Sequence, residues 1–348
     1  MNIEEKIGQL FLIGFQGDRI ETSHPVAIDI RQRHLGGVIL FDRSLARRED
    51  HNNISSAGQV KTLTARLQGM ADTPLLVGID QEGGNVRRLK PDLGFPATSS
   101  AAILGQKNDR TLTAIHALTT ADTLQAMGIN FNLAPVVDLN SFPENPVIGK
   151  LGRSFSSSAK IVSDHASSWV KAHRQRNILT CLKHFPGHGS SRTDSHLGFT
   201  DISETWSKKE LKPYNDLISN GLADAIMIGH LFHKGLDSVY PATLSASIIN
   251  HLLRQEMGFT GAIITDDLQM KAITDRYGLE EAACLALSAG ADLLIIGNNL
   301  EYDPGILTRM IEAVLQAIKA GKLPERRIHD AYAQVQQLKE KILPIQQI

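Results

Sequence analysis

Ala262-Ile263-Ile264-Thr265-Asp266-Asp267 and Thr180-Cys181-Leu182-Lys183-His184 are the stretches that decide the fold. Each is a short apolar run without alternation, the pattern of a strand covered on both faces. Each ends in groups able to do chemistry. Buried parallel strands that finish in acids and bases are how a barrel builds a site at one mouth. Six more such runs recur, at 10–15, 37–41, 75–79, 129–133, 225–228 and 293–296. Between them lie segments of helical period at 60–70, 112–127, 159–174, 248–257, 280–289 and 307–320. Strand and helix alternate, which argues for a parallel sheet. Eight repeats predict an α/β fold, a single (β/α)8 TIM-type barrel with its site at the C-terminal mouth. No G-x-G-x-x-G follows the first run, so an open dinucleotide-binding sheet lacks its main signal. The barrel is expected to be one domain over 1–348, with 323–348 as a helical extension packed on its outside.

The 348 residues carry 36 Lys+Arg against 37 Asp+Glu. So even a balance gives no global field to attract nucleic acid or an anionic membrane, and neither partner is expected. Two cysteines, Cys181 and Cys284, do not make a disulfide scaffold or a zinc pattern. The first fifteen residues lack a basic n-region and a small-residue cleavage site. No apolar run approaches the ~18 residues of a bilayer span. A cytoplasmic chain, monomeric or weakly oligomeric, is the expectation.

Polar groups follow every candidate strand: Gln16 and Asp18; Asp42 and Arg43; Asp80, Gln81 and Glu82; Asp138; Lys183 and His184; His230; Asp266 and Asp267; Asn298 and Asn299. One polar loop residue means little, because loops lie on the surface. Eight in register suggest a common mouth and a small ligand with many hydroxyls, such as a sugar. Asp266 can serve there as nucleophile, base or metal ligand. An acid before Leu268 also suits a helix N-cap, so one of Asp266 and Asp267 is expected to face the mouth and the other the loop backbone. Asp194 and His196 stand two apart on a polar segment, so in extended backbone they share a face. The acid can then orient the imidazole and raise its proton affinity. His184, His188, His196 and His230 have no metal-ligand spacing, and no metal or cofactor is expected. The glycines of Glu82-Gly83-Gly84 and Gly187-His188-Gly189 do not form a phosphate loop and suit a close backbone approach to a ligand.

Together these residues resemble family 3 of the glycoside hydrolases, in its single-domain β-N-acetylglucosaminidase branch. The matching blocks run in the family's order: Gly36 to Phe41, Asp80 to Gly84, Asn132 to Asp138, Arg153-Ser154-Phe155, Lys183 to Gly189, Asp194-Ser195-His196, Pro241 to Ser245, Gly258 to Gly261, and Thr265 to Met270. The resemblance implies that Asp266 is the nucleophile and that His196, paired with Asp194, is the acid/base. It implies that Asp80, Arg88, Arg153, Lys183 and His184 bind the sugar. It also implies retaining hydrolysis of terminal β-linked N-acetylglucosamine, in bacterial members from cell-wall muropeptide fragments. Asn85 stands where arginine is common, Thr265 where serine is common, and Lys150-Leu151 lengthens the loop before Arg153.

Retaining hydrolysis needs a nucleophile below the ring and a proton donor at the leaving oxygen. The 194–196 loop can supply that donor from within the barrel. A histidine there repels phosphate less than a carboxylate, so transfer to phosphate stays open. Other readings are a β-glucosidase or β-xylosidase of the same family, a metal-dependent barrel hydrolase, and an inactive sugar-binding barrel.

Overall fold

The computed structural model describes residues 1–195 and 197–342. Its eight barrel strands are Phe11–Gly14, Gly37–Leu40, Leu76–Ile79, Phe131–Asn132, Leu179–Phe185, Ala225–Ile228, Ala262–Thr265 and Leu294–Ile296. All eight predicted runs are therefore strands, within a few residues of the expected limits. Neighbours pair in parallel and in chain order, and the eighth returns to the first through Phe11–Leu294, Leu12–Ile295 and Ile13–Ile296.

The seam between the seventh and eighth strands is the thinnest joint. A single bridge, Ile264 to Leu293, spans it. The Thr265 hydroxyl reinforces it by accepting the N–H of Ile295 at 3.0 Å. A hydroxyl at this position thus completes a ladder that the backbone alone leaves short, which a serine would also do.

Short apolar runs become strands because helices cover them. Helices Ala57–Gln68, Arg110–Ala126, Ala159–Arg174, Leu279–Ala289 and Ile306–Lys319 lie where the period placed them. The segment Ser247–Glu256 is helical too but wound as a π-helix. Helices Pro25–Arg33 and Lys212–Ser219 were not predicted; each carries a proline in its first turn, where the missing N–H costs nothing. The helix Glu325–Glu340 packs Ile328, Ala331, Val335 and Leu338 inward, as expected for the tail. Residues 343–348 lie outside the described residues.

The fifth strand does most to shape the mouth. Its pairing shifts register between Leu182 and Phe185. In a regular strand successive side chains face opposite sides. Across this irregularity Lys183 and His184 both line one cavity. No helix among the described residues is long and apolar enough to cross a membrane.

Candidate active site

A cavity of about 450 Å³ opens at the C-terminal ends of the strands. Ile39, Leu133, Met227 and Ile295 form part of its apolar lining. Asp80, Arg88, Arg153, Lys183, His184, Asp194 and Asp266 all border it. Seven of the eight predicted site residues are thus brought together. The eighth, His196, lies outside the described residues.

A chain of alternating charges runs around the wall. The Lys183 ammonium is buried and lies 2.7 Å from both Asp80 Oδ1 and Glu82 Oε1. Arg153 grips Glu82 through two bonds of 2.8 Å, Nε to Oε2 and Nη2 to Oε1. Arg88 reaches Asp80 Oδ2 at 3.3 Å. Buried charges survive only when so paired. Burial pushes the Glu82 carboxyl up, but Arg153 and Lys183 outweigh it and hold the group down at about 2. Asp80 is likewise pushed up by burial and brought below its usual range by Lys183 and Arg88. Burial works to lower the Lys183 pKa, and Asp80 and Glu82 reverse that, so the ammonium stays charged. Glu82, a natural second choice for a proton donor, is therefore a locked carboxylate.

His184 is fixed from behind. Its Nδ1 lies 2.7 Å from Asp138 Oδ2, and Asp138 is fully buried. The other ring nitrogen, Nε2, sits 3.3 Å from Arg153 Nη2, which can only donate. In the neutral ring this contact suits Nε2 as acceptor, with the proton on Nδ1 toward Asp138. Asp138 also accepts the backbone N–H of His188 at 2.8 Å, tying the Gly187-His188-Gly189 turn to the fourth strand.

The paired acids of the seventh strand both border the cavity, so the expected split between mouth and loop is only partial. Asp267 Oδ1 accepts the N–H groups of Gln269 at 3.0 Å and Gly297 at 2.9 Å. Gly297 must be glycine, because an added Cβ would lie 2.2 Å from Asp267 Oδ2. Asp267 thus binds loop backbone while bordering the cavity, and Asp266, after the buried Thr265, borders it too and accepts the N–H of Asp267 at 2.8 Å. His230 supports this corner through Thr243 Oγ1 at 2.7 Å and the Asp267 carbonyl at 2.8 Å.

The predicted ring of eight is only partly a ring. Asp18 turns away and accepts from Ser55. Gln81 accepts the backbone N–H groups of Arg88 and Leu89, and Asn298 binds the backbone of Asp303. His230 and Asp138 stand behind the wall. Position after a strand names the mouth, but the loop's turn decides where each side chain goes. Asp42 gained more than its expected weight: it is 5% exposed, borders the cavity, and holds Lys90 at 2.6 Å through Oδ2. Its Oδ1 makes no hydrogen bond among the described residues.

Among the described residues no group of three or more His, Cys, Asp or Glu is placed to hold a metal ion. The cavity's chemistry is that of polar recognition: fixed cations and carboxylates around an apolar floor, a setting that reads hydroxyls.

A family profile described as "Glycosyl hydrolase family 3 N terminal domain" matches residues 2–338. A protein named "Beta-hexosaminidase" from Nitrosomonas eutropha is 31% identical over 336 residues, covering 93% of this chain and 88% of its own. "Beta-hexosaminidase A" from Pseudoalteromonas piscicida is also 31% identical and matches 90% of this chain, which spans only 54% of that longer protein. The solved structure of a glycoside hydrolase family 3 beta-N-acetylglucosaminidase from Paenibacillus sp. str. FPU-7 superposes with a TM-score of 0.89 at 34% identity, covering 98% of this chain and 63% of that one.

Proposed function

The chain belongs to glycosyl hydrolase family 3 and is a glycoside hydrolase of the β-hexosaminidase type, and from that premise we propose that it removes terminal β-linked N-acetylglucosamine with retention, through a covalent intermediate on Asp266. In this reading Asp266 attacks the anomeric carbon from the cavity wall. His196, oriented by Asp194, gives its proton to the leaving oxygen and then takes one from the incoming water. Lys183, His184, Asp80, Arg88 and Arg153 hold the sugar's polar groups. The observation that carries the proposal is the partition of carboxylates at one cavity. Glu82 is captured by Arg153 and Lys183, and Asp267 by loop backbone. Asp80 is held by Lys183 and Arg88. Asp266 and Asp194 border the same cavity. Such a division of acids by environment is how one site runs two carboxylate roles. Muropeptide fragments are the substrate class this reading favours, and a cytoplasmic setting goes with it.

The test is hydrolysis of p-nitrophenyl β-N-acetylglucosaminide beside the β-glucoside, with wild type and Asp266→Ala. The proposal expects strong preference for the N-acetyl substrate and a loss on the order of 10³-fold or more in Asp266→Ala, with the fold intact. Equal rates on both sugars would point to a β-glucosidase. An Asp266→Ala variant that keeps more than a tenth of its activity would remove the nucleophile assignment.

A further inference from the structure

We propose that Arg276 and Phe199 form a clasp on the segment that carries Asp194 and Ser195 beside the cavity, making both of them positioning residues. The inference rests on the reading that His196 delivers the leaving-group proton.

The loop is held at three places. Inside, Ser195 Oγ lies 3.2 Å from Nε2 of the buried His188, whose Nδ1 lies 2.7 Å from Ser191 Oγ. Burial holds His188 down at about 4, so this anchor is a neutral ring with one donor and one acceptor nitrogen. In the middle, the Ser195 carbonyl accepts the N–H of Ala272 at 3.3 Å. Ser195 is thus fixed on both its side chain and its carbonyl, and Asp194 and His196 are its two neighbours in sequence.

The outer end is the clasp. Thr200–Asp201 pairs in parallel with Leu231–Phe232, and the Phe199 ring lies 5.2 Å from the Phe232 ring. The Arg276 guanidinium carbon sits 3.6 Å from the Phe199 ring centroid. Phe199 thus touches a residue that follows the sixth strand and one that follows the seventh. Arg276 belongs to the segment that starts at Asp266 and passes through the cavity-lining Met270. The clasp therefore ties the loop that carries the proton donor to the loop that carries the nucleophile. Retaining catalysis needs both groups on one sugar at the same moment. An exposed cation–π pair is weak enough to open and strong enough to bias a loop. Leu197, 76% exposed, contributes no packing that could substitute for it.

The experiment measures kcat/KM against leaving-group pKa for wild type, Arg276→Ala, Arg276→Lys, Phe199→Ala and His196→Ala. Loss of proton delivery penalises poor leaving groups and spares activated aryl glycosides. The clasp predicts a steeper dependence in Arg276→Ala, with roughly two- to fivefold loss on the poorest leaving groups. Phe199→Ala loses about tenfold, since it also drops the Phe232 contact. Arg276→Lys, which keeps a cation over the ring, recovers most of the wild-type slope. Arg276 is exposed, so its variants report even where Phe199→Ala fails to fold. If His196→Ala is steep but Arg276→Ala keeps the wild-type slope, or loses equally on all substrates, the clasp is overturned and the proposed function stands. If His196→Ala itself is no steeper than wild type, the acid assignment falls and the clasp with it.

Discussion

Two lysines are buried to the same depth at opposite ends of this barrel, Lys183 at the mouth and Lys339 near the base, each 2% exposed. Lys183 has two carboxylates at 2.7 Å. Lys339 donates to the neutral Oε1 of Gln9, also at 2.7 Å. The outcome is opposite. Asp80 and Glu82 overcome the burial penalty and raise the Lys183 pKa, whereas burial alone brings Lys339 down to about 7. Depth does not separate a working group from a structural one. What differs is the set of counter-charges and whether they border a cavity. The base has strong ion pairs too: Asp292 takes both Arg254 and Arg327, but it closes on itself and on the N–H of Ile263.

Three substitutions sharpen that contrast. Lys183→Met has the largest effect, because it removes the cation that Asp80 and Glu82 share and leaves each with one arginine. Removing one partner of a buried pair costs roughly 3–5 kcal/mol, so denaturant unfolding should fall by that amount while sugar hydrolysis nearly disappears. Unchanged stability would mean that water solvates the acids and that the wall is not a closed network.

Glu82→Gln should cost less and show a pH signature. Arg153 and Lys183 hold the native carboxyl at about 2, below its ordinary 4.5, which corresponds to about 3 kcal/mol. A depressed native pKa gives stability that is full above 4.5 and lost as pH falls toward 2. The wild type should therefore lose its advantage over Glu82→Gln across that window, read by thermal melts at each pH. Parallel pH curves would refute it.

Lys339→Met should act in the opposite direction. An amine whose native pKa lies below its unfolded value of 10.5 destabilises the fold as pH drops from 10.5 toward 7, and the penalty is full below about 7. The variant should gain roughly 1–3 kcal/mol at pH 6–7 and little near pH 10. A loss at every pH would show that the Gln9 contact matters more than the missing counter-ion.

Much of this was legible in the sequence, for physical reasons. Non-alternating runs such as 225–228 and 262–264 suit strands covered on both faces, and eight of them alternating with helical segments leave few closures. The mouth was legible because Lys183-His184 and Asp266-Asp267 interrupt such runs abruptly. Side-chain direction was not. Nothing in Asp138 or His230 says that it will stand behind the wall, since that depends on how the fourth and sixth loops bend. The grip of Arg153 on Glu82 joins residues 71 apart in sequence. The register shift around Lys183 and His184 belongs to the pairing with the sixth strand, which neither run shows alone. The helices Pro25–Arg33 and Lys212–Ser219 are short, and the prolines at their starts were their only clear sign.

The account rests on which carboxylate meets the sugar, and trapping answers that most directly. A fluorinated N-acetylglucosaminyl donor, slow to turn over, should add one sugar to the protein by intact mass. Peptide mapping should then find that sugar on Asp266, within the peptide that carries Thr265-Asp266-Asp267. The account predicts label on Asp266 alone, and none in Asp266→Ala. Label on Asp267 or Asp80 would contradict it, because both are held here by other groups and neither would be the nucleophile described.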